Sequence, residues 1–281
     1  MNYRHAFHAG NFADVLKHAL LCRILVHLAA KDTPFRVIDT HAGTGVYDLT
    51  SSAAQRSPEW RDGIARLVGT HLPEEVAPLL APYLALAAPM LSAERPTYPG
   101  SPRIALALTR TQDRLSFVEK HPDDIIGLKA AIAGDRRAKA LHLDGWTAWN
   151  AQVPPPERRG LVLVDPPFEA DSDWQRMVDG LIQSARKWAG GIVMLWYPVK
   201  DPATVERFFD ALEATGIRKI LRLELAVDQV RPDGPLAATG VIMVNPPHRL
   251  ETEARLLLPF LARRLARSRD AATCIEWIVA E

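Results

Sequence analysis

The segment Gly160–Phe168 (GLVLVDPPF) places a carboxylate, two prolines and an aromatic ring directly after a run of apolar residues, which is typical of a buried strand. The Asp165 carboxylate and the Pro166 carbonyl could accept hydrogen bonds from both N–H groups of an exocyclic amine on a nucleobase. Successive prolines favour an extended turn, and Phe168 offers a face on which an extruded base can stack. This set of groups predicts methyl transfer to such an amine. The alternative interpretation is an ordinary strand end followed by a Pro-Pro turn.

Three strands predicted upstream end in groups that could hold a nucleotide-like cofactor. Phe35–Asp39 runs into the glycine-containing turn Thr40–Gly45, where backbone can approach a ligand closely. Leu115–Glu119 ends in an acid suited to ribose hydroxyls, and Ala140–Asp144 ends in one suited to an adenine amine. Each acid alone is more often a solvated strand end or a helix cap. Their order after successive strands favours one ligand site, because ligands of open α/β sheets bind at the carboxyl ends of strands.

Strand and helix patterns alternate along most of the chain and predict an α/β fold with a mainly parallel, seven-stranded sheet covered by helices. Further strands are predicted at Gly191–Trp196, Ile217–Val227 and Gly240–Asn245, with an amphipathic helix over Thr204–Thr215. The long connection between the first two strands is too long for bare loop. We interpret residues 50–100, approximately, as a small helical insertion within a single domain covering residues 1–281.

Composition favours an intracellular enzyme. The 281 residues are 48% hydrophobic and 24% charged, within the range of globular proteins. Two cysteines, Cys22 and Cys274, are too few for a disulfide framework, which predicts a reducing, cytoplasmic compartment. No apolar segment reaches the length of a membrane span, and the N-terminus lacks the apolar region of a signal peptide. Because the net charge is only +1, binding to nucleic acid would require locally concentrated positive charge.

A helix is predicted to begin after Asn11, a suitable N-cap, with Asp14, Lys17 and His18 along one polar face. The residues after Leu20 are apolar nearly all round, so this helix should enter the core. Its polar face must then border a site or form a solvated helix start, and the sequence leaves both open. His5, His8 and His18 could suggest a metal, but no carboxylate or cysteine accompanies them at ligand spacing, so we predict none.

Several segments together resemble the RlmJ family over essentially the whole chain. They are Tyr3–His18 (YRHAFHAGNFADVLKH), Asp39–Gly43 (DTHAG), Tyr98–Pro102 (YPGSP), Leu161–Phe168 (LVLVDPPF), Leu195–Pro198 (LWYP), Glu213–Ile220 (EATGIRKI), Asn245–Pro247 (NPP) and Trp277–Val279 (WIV). The resemblance implies a Rossmann-like class I methyltransferase that uses S-adenosylmethionine to methylate N6 of one adenine in bacterial 23S ribosomal RNA. It also implies no zinc and no separate DNA-recognition domain. We further predict no membrane association, and the sequence indicates no obligate protein partner.

The same resemblance implies roles for individual residues. Cofactor contacts fall on His18, His41, Ser101, Glu119, Asp144, Gly145 and Asp165. Asp165 is also the expected catalytic residue, Tyr3 and Phe168 are expected to meet the RNA, and His5, Lys17 and Pro166 are expected to support them. Phe168 replaces the commoner tyrosine of the motif, which keeps stacking and loses a hydroxyl.

Two features of the sequence compete with this assignment. Asn245–His248 (NPPH) resembles a second version of the catalytic motif, but it follows the last predicted strand, far from the glycine turn, so we assign catalysis to Asp165. Arg263, Arg264, Arg267 and Arg269 could contact RNA phosphates. A charge run of this kind is more often a solvated helix face, which is the interpretation we favour.

Other functions remain alternatives. A methyltransferase of the same fold could act on DNA adenine or on a protein amide; the first would need a recognition domain, and the second is disfavoured by Asp rather than Asn before Pro166. A non-catalytic RNA-binding assembly factor is disfavoured because it would have no use for carboxylates at Glu119, Asp144 and Asp165. The substrate is expected to be free 23S RNA or an early assembly state.

Overall fold

The computed structural model describes residues 5–231 and 234–280 and is organised around an eight-stranded sheet. Its strands are β1 (Arg36–Asp39), β4 (Arg114–Glu119), β5 (Ala138–His142), β6 (Gly160–Val164), β7 (Ile192–Val199), β8 (Ile220–Ala226), β9 (Ala238–Val244) and β10 (Ala272–Val279). Their spatial order is β10-β8-β9-β7-β6-β1-β4-β5. The pairs that join β5, β4, β1, β6 and β7 are parallel, whereas β9 is antiparallel to both β7 and β8, and β10 is antiparallel to β8.

Strand order reverses at β1, which has β4 on one side and β6 on the other. Loops that leave β1 and β6 at their carboxyl ends therefore diverge and open a crevice at the sheet edge. Two backbone hydrogen bonds continue the pairing into this edge: Thr40 donates to the Leu163 carbonyl at 3.0 Å, and Ala42 donates to the Val118 carbonyl at 2.8 Å.

Helices cover both faces of the sheet. They are α1 (Phe12–Ala29), α2 (Ser52–Arg56), α3 (Ala77–Leu91), α4 (Ser101–Leu108), α5 (Asp124–Ala131), α6 (Gly145–Gln152), α7 (Ser172–Lys187), α8 (Pro202–Ala214) and α9 (Leu250–Leu265). One apolar core contains α1 with α3, α4 and α9, and the other contains side chains of α6, α7 and α8. Helix α1 is buried along most of its length, and Asn11 caps it by accepting a hydrogen bond from the Asp14 backbone N–H at 3.0 Å, as predicted.

The long connection after β1 contains both helix and strand. Antiparallel strands β2 (Val46–Asp48) and β3 (Thr97–Pro99) enclose α2, two 3₁₀ turns (Glu59–Arg61 and Ile64–Arg66) and α3. A third 3₁₀ turn, His5–Phe7, lies near the start of the chain. Gly63 packs against that start so closely that a Cβ atom would lie 2.0 Å from the Gly10 carbonyl oxygen. This contact requires glycine and holds Glu59 beside the N-terminal segment.

The sheet confirms the predicted α/β class and the seven predicted strands, with one difference in count. Strand β10 was not predicted, because it is half-exposed, pairs with a single neighbour and follows a helix in a region without a clear strand pattern. The short pair β2 and β3 was also missed, since three-residue strands carry too little periodicity to be recognised.

Candidate active site

The carboxyl ends of β1, β4, β5 and β6 deliver polar groups to one cleft of about 270 Å³. Among the residues that line it are His18, His41, Ser101, Glu119, Asp144, Gly145, Asp165 and Pro166. Every residue that the sequence analysis assigned to the cofactor is therefore at this cleft, although the residues come from positions far apart in the chain. The parallel pairing of β5, β4, β1 and β6 brings them together, because parallel strands end at the same edge.

Two glycines allow the backbone to close around this cleft. Gly43 has a φ of +61°, in the left-handed region, and its N–H donates to Glu119 Oε2 at 2.8 Å. Gly145, the first residue of α6, faces the loop after β1, where a Cβ atom would lie 2.2 Å from the Thr40 carbonyl oxygen. Any side chain at position 145 would separate α6 from β1 and widen the cleft.

The two acids at the ends of β4 and β5 are held in fixed orientations. Glu119 is buried and accepts hydrogen bonds from the backbone N–H groups of Gly43 and His121, at 2.8 and 2.7 Å. Burial raises the pKa of the Glu119 carboxyl. Asp144 caps α6 by accepting from the backbone N–H groups of Trp146 and Thr147. It is thus a helix cap and a wall of the cleft at the same time.

Helix α1 inserts a buried network of charges beneath the Asp-Pro-Pro turn. The Lys17 ammonium lies 2.5 Å from the Asp165 carboxylate and 2.8 Å from that of Asp14. Burial lowers the pKa of Lys17, but the two carboxylates outweigh it and hold the pKa well above its usual value. Burial likewise opposes ionisation of Asp14, yet His5 and Lys17 lower its pKa well below the usual range. The network therefore holds a charged Lys17 against Asp165.

His18 presents a neutral imidazole to the same cleft. Its Nδ1 lies 2.6 Å from the Tyr98 hydroxyl, which in turn lies 2.7 Å from the Tyr83 hydroxyl. Burial lowers the pKa of His18 to about 3. Within the described part of the chain, its buried Nε2 has no hydrogen-bond partner. An unsatisfied buried nitrogen beside a cleft is a suitable contact for a polar group of a ligand.

His41 and Ser101 line the cleft beyond the end of β1, and the buried Asp39 lies behind Ser101. Ser101 Oγ donates to Asp39 Oδ2 at 2.7 Å, and burial raises the pKa of the Asp39 carboxyl to about 7. His41 Nδ1 lies 2.8 Å from the Thr40 hydroxyl, and its ring meets Trp146 edge-on at 5.2 Å between centroids. Burial lowers the pKa of His41 to about 4. Ser101 thus lines the cleft directly, and its hydrogen bond to Asp39 fixes its hydroxyl group.

A second chamber of about 470 Å³ adjoins the cleft, and the same turn borders both. The residues common to the two are His5, Lys17, Asp165, Pro166 and Pro167. The second chamber also contains Phe168 and Trp196, whose ring centroids are 5.8 Å apart. Phe168 has a φ of +50°, and its ring also packs 4.7 Å from that of Trp174. The carboxylate of Asp165 thus faces a polar cleft on one side and an aromatic chamber on the other.

The structure separates the competing motif from this site. Asn245 follows β9, which runs antiparallel to β7, so it lies at the opposite edge of the sheet from Asp165. Its side chain donates to the carbonyls of Ala189 and Gly191 at 2.8 and 2.9 Å. Tyr3, the predicted RNA contact, lies outside the described residues. In the arginine run, Arg267 lines the second chamber, whereas Arg264 bonds to the Arg66 carbonyl and the Thr70 hydroxyl.

Sequence analysis missed two walls of the second chamber, Trp196 and Glu59. Trp196 lies near the carboxyl end of β7, the same edge as Asp165, so the strand-end rule could have identified it. Glu59 comes from the connection after β1 and carried no signal. In residues 5–231 and 234–280, no group of three His, Cys, Asp or Glu side chains is arranged to hold a metal ion. No helix in these same ranges is both long and apolar enough to span a membrane.

The sheet is doubly wound, the cleft lies at its strand ends, and the Asp-Pro-Pro-Phe turn separates the cleft from the second chamber. Together these features define a Rossmann-like methyltransferase architecture. The chain belongs to the RlmJ family, since the family model described as "Ribosomal RNA large subunit methyltransferase D, RlmJ" matches residues 32–279. It is 42% identical to "Ribosomal RNA large subunit methyltransferase J" of Escherichia coli K12 and 40% identical to the protein of the same name from Haemophilus influenzae. Both alignments cover 100% of each chain.

One solved structure has the same fold throughout. A crystal structure of a protein from Legionella pneumophila Philadelphia 1 aligns with a TM-score of 0.87 at 32% sequence identity. The alignment covers 96% of this chain and 98% of that one. The two proteins thus share the overall fold described above.

Proposed function

We propose that this protein transfers one methyl group from S-adenosylmethionine to N6 of a specific adenine in 23S ribosomal RNA. The observation that carries the proposal is the position of Asp165 and Pro166 between a polar cleft at the strand ends and an aromatic chamber. Membership of the RlmJ family and the names of the full-length relatives support the reaction and the RNA substrate. Ribosomal RNA as substrate also favours a cytoplasmic location.

The cleft suits S-adenosylmethionine in both shape and donor set. Glu119 and Asp144 offer carboxylate oxygens for ribose hydroxyls and for the adenine amine, and Gly145 leaves room for the adenosine part. At the other end, the free Nε2 of neutral His18 is suited to the polar end of the methionine moiety. Ser101, held by Asp39, places a hydroxyl group at the same cleft. When bound, S-adenosylmethionine supplies an electrophilic methyl group on its sulfonium sulfur.

The target adenine enters the aromatic chamber, where Phe168 provides the stacking face. Its N6 lone pair is delocalised into the ring and is a poor nucleophile. The Asp165 carboxylate accepts a hydrogen bond from one N–H of the amine, and the Pro166 carbonyl accepts one from the other. These bonds direct the nitrogen lone pair out of the ring plane and towards the methyl group. A bond forms between N6 and the methyl carbon as the bond from that carbon to sulfur breaks.

Lys17 keeps the acceptor in place through its ion pair with Asp165. Asp14 and His5 fix Lys17 from behind, because His5 Nε2 lies 2.8 Å from Asp14 Oδ2. Once N6 carries the new methyl group, it is cationic and strongly acidic. A weak base is then sufficient to remove its proton, which Asp165 accepts or passes to water. His5 and Lys17 therefore act as positioning residues, whereas Asp165 and the Pro166 carbonyl contact the reacting amine.

The test is methylation of a protein-free 23S RNA transcript with S-adenosylmethionine, followed by digestion and mass spectrometry of the nucleosides. We expect one N6-methyladenosine per transcript and no methylation of duplex DNA. RNA without methyl incorporation, or equal turnover of duplex DNA oligonucleotides, would contradict the proposal. Methylation found only on a partly assembled large-subunit particle would restrict the substrate to that state and reject free RNA.

A further inference from the structure

The mouth of the aromatic chamber carries two cations that the methyl-transfer reaction does not use. Lys200 follows β7 directly and is exposed, and Arg267 follows α9 and is also exposed. Both line the chamber that contains Phe168 and Trp196, and neither lines the cofactor cleft. We propose that Lys200 and Arg267 bind the phosphates of the nucleotides that flank the extruded adenosine, an inference that rests on the proposed function.

The arrangement of Arg267 favours a ligand outside the protein. Its Nη1 donates to the Leu236 carbonyl at 3.2 Å, and its guanidinium lies 5.4 Å from the centroid of the Phe12 ring. The backbone N–H of Arg267 donates to the Val227 carbonyl at 2.7 Å, whereas its guanidinium nitrogens Nε and Nη2 make no hydrogen bond to the described residues. The side chain is thus held in position while part of its donor fork remains available. A fork of this kind is the geometry that binds phosphate oxygens in pairs.

Lys200 supplies a second positive charge that the protein does not neutralise. Within the described ranges, its ammonium has neither a hydrogen-bond acceptor nor an ion-pair partner. The three carboxylates that line the chamber have other partners: Glu59 lies 3.0 Å from His8 Nδ1 and accepts from Asn11 Nδ2 at 2.9 Å, and Asp165 pairs with Lys17. Asp14 is paired with Lys17 and His5. The three cations that line the chamber, Lys17, Lys200 and Arg267, formally balance its three carboxylates. Lys17 is ion-paired with a carboxylate, whereas Lys200 and Arg267 have no ion-pair partner among the described residues. Asp228 lies near Arg267, but its carboxylate accepts a hydrogen bond from the Gln229 backbone N–H at 2.8 Å.

The positive charges of Lys200 and Arg267 could supply the local attraction for RNA that the net charge of the protein does not. A net charge of +1 provides little general attraction for RNA. An extruded base that enters the chamber must bring the phosphates on either side of it to the chamber mouth, since they are covalently attached. Cations at that mouth would bind these phosphates and hold the strand. A base can enter the chamber most easily from a single-stranded or distorted region, because a regular duplex keeps its bases stacked.

The other arginines of the same run provide matched controls. Arg263 and Arg269 are exposed, carry the same charge and line neither chamber. The experiment compares Lys200→Gln and Arg267→Gln with Arg263→Gln and Arg269→Gln. Affinity for a protein-free 23S RNA transcript is measured as a function of salt concentration, together with methyl transfer. Calorimetric titration with S-adenosylmethionine monitors folding, and its affinity should be the same in all four variants.

Loss of one phosphate contact should reduce the slope of log affinity against log salt by about 0.7. At about 0.15 M salt this corresponds to roughly a fourfold weaker affinity for each single variant and roughly 14-fold for the double variant. The control variants should match the wild type in both quantities. Lys200→Gln and Arg267→Gln proteins with the affinity and salt slope of the controls, alongside a wild type that methylates the RNA, would overturn this inference alone. A wild type that does not methylate RNA would overturn the proposed function as well.

Discussion

Two Pro-Pro turns follow strands in this chain, Asp165-Pro-Pro-Phe168 after β6 and Asn245-Pro-Pro-His248 after β9, and they lie at opposite edges of the sheet. The first turn borders both the polar cleft and the second chamber, and its Asp165 pairs with Lys17. The second is a structural turn, in which Asn245 adopts a φ of +51° and bonds to two backbone carbonyls. A strand end acquires chemistry only at the edge where the parallel strands also end, since only there do other strand-end groups converge.

The largest expected effect separates these two turns directly. Asp165→Ala should reduce methyl transfer by at least about 100-fold, because the target amine loses the acceptor that orients it. Asn245→Ala should leave the rate nearly unchanged. Both rates are measured at saturating S-adenosylmethionine with the same RNA transcript. An inactive Asn245 variant, with an active Asp165 variant, would mean that the wrong edge of the sheet has been assigned.

A smaller effect is expected on the cofactor side of the same edge. Glu119→Ala and Asp144→Ala should each weaken S-adenosylmethionine binding by about 1–3 kcal/mol, the usual worth of a hydrogen bond to a charged group. Asp210→Ala is the control, because Asp210 is an exposed acid on α8 that lines neither chamber. Calorimetric titration measures all three. Unchanged affinity in both cleft variants would remove Glu119 and Asp144 from the cofactor site.

The last effect is on stability rather than on activity or binding, and concerns its pH dependence at the edge of the sheet that carries Asp165. Burial lowers the pKa of folded His18 to about 3, against an ordinary value of 6.5. As the pH falls, His18 is therefore protonated in the unfolded chain before it is protonated in the folded protein. The part of the unfolding free energy that depends on neutral His18 is fully present above pH 6.5 and is lost as the pH falls towards 3. Below about pH 6 this contribution approaches 1.4 kcal/mol per pH unit. His18→Gln should remove it from the pH profile of the unfolding free energy.

Asn245→Ala is the control for this prediction, because Asn245 lies at the opposite edge of the sheet. Asn245 does not titrate, so any stability lost in that variant should be the same at pH 5 and pH 7. Denaturant unfolding at several pH values measures both variants against the wild type. A His18→Gln profile parallel to that of the wild type would show that His18 is not the buried neutral group described above.

The sequence by itself determined the class of fold and the three strand-end acids of the polar cleft. Glu119, Asp144 and Asp165 could be placed because each follows an apolar strand, and the strand period and the parallel order are readable from local pattern. The helix start at Asn11 was readable for the same reason, since a cap depends on residues three positions apart. Strand β10 was not readable, because a half-exposed edge strand with one neighbour lacks a clear apolar period.

The tertiary structure alone decided how the second chamber is built. It brings Glu59, Trp196 and Arg267 together from a connection, a strand end and the segment after a helix, and no spacing in the chain relates them. It also determined that Lys17 pairs with Asp165, 148 positions away, and that Arg267 alone of its run reaches the chamber. Local pattern specifies which side chains a strand or helix presents, whereas the packing of distant elements specifies which of them share a cavity.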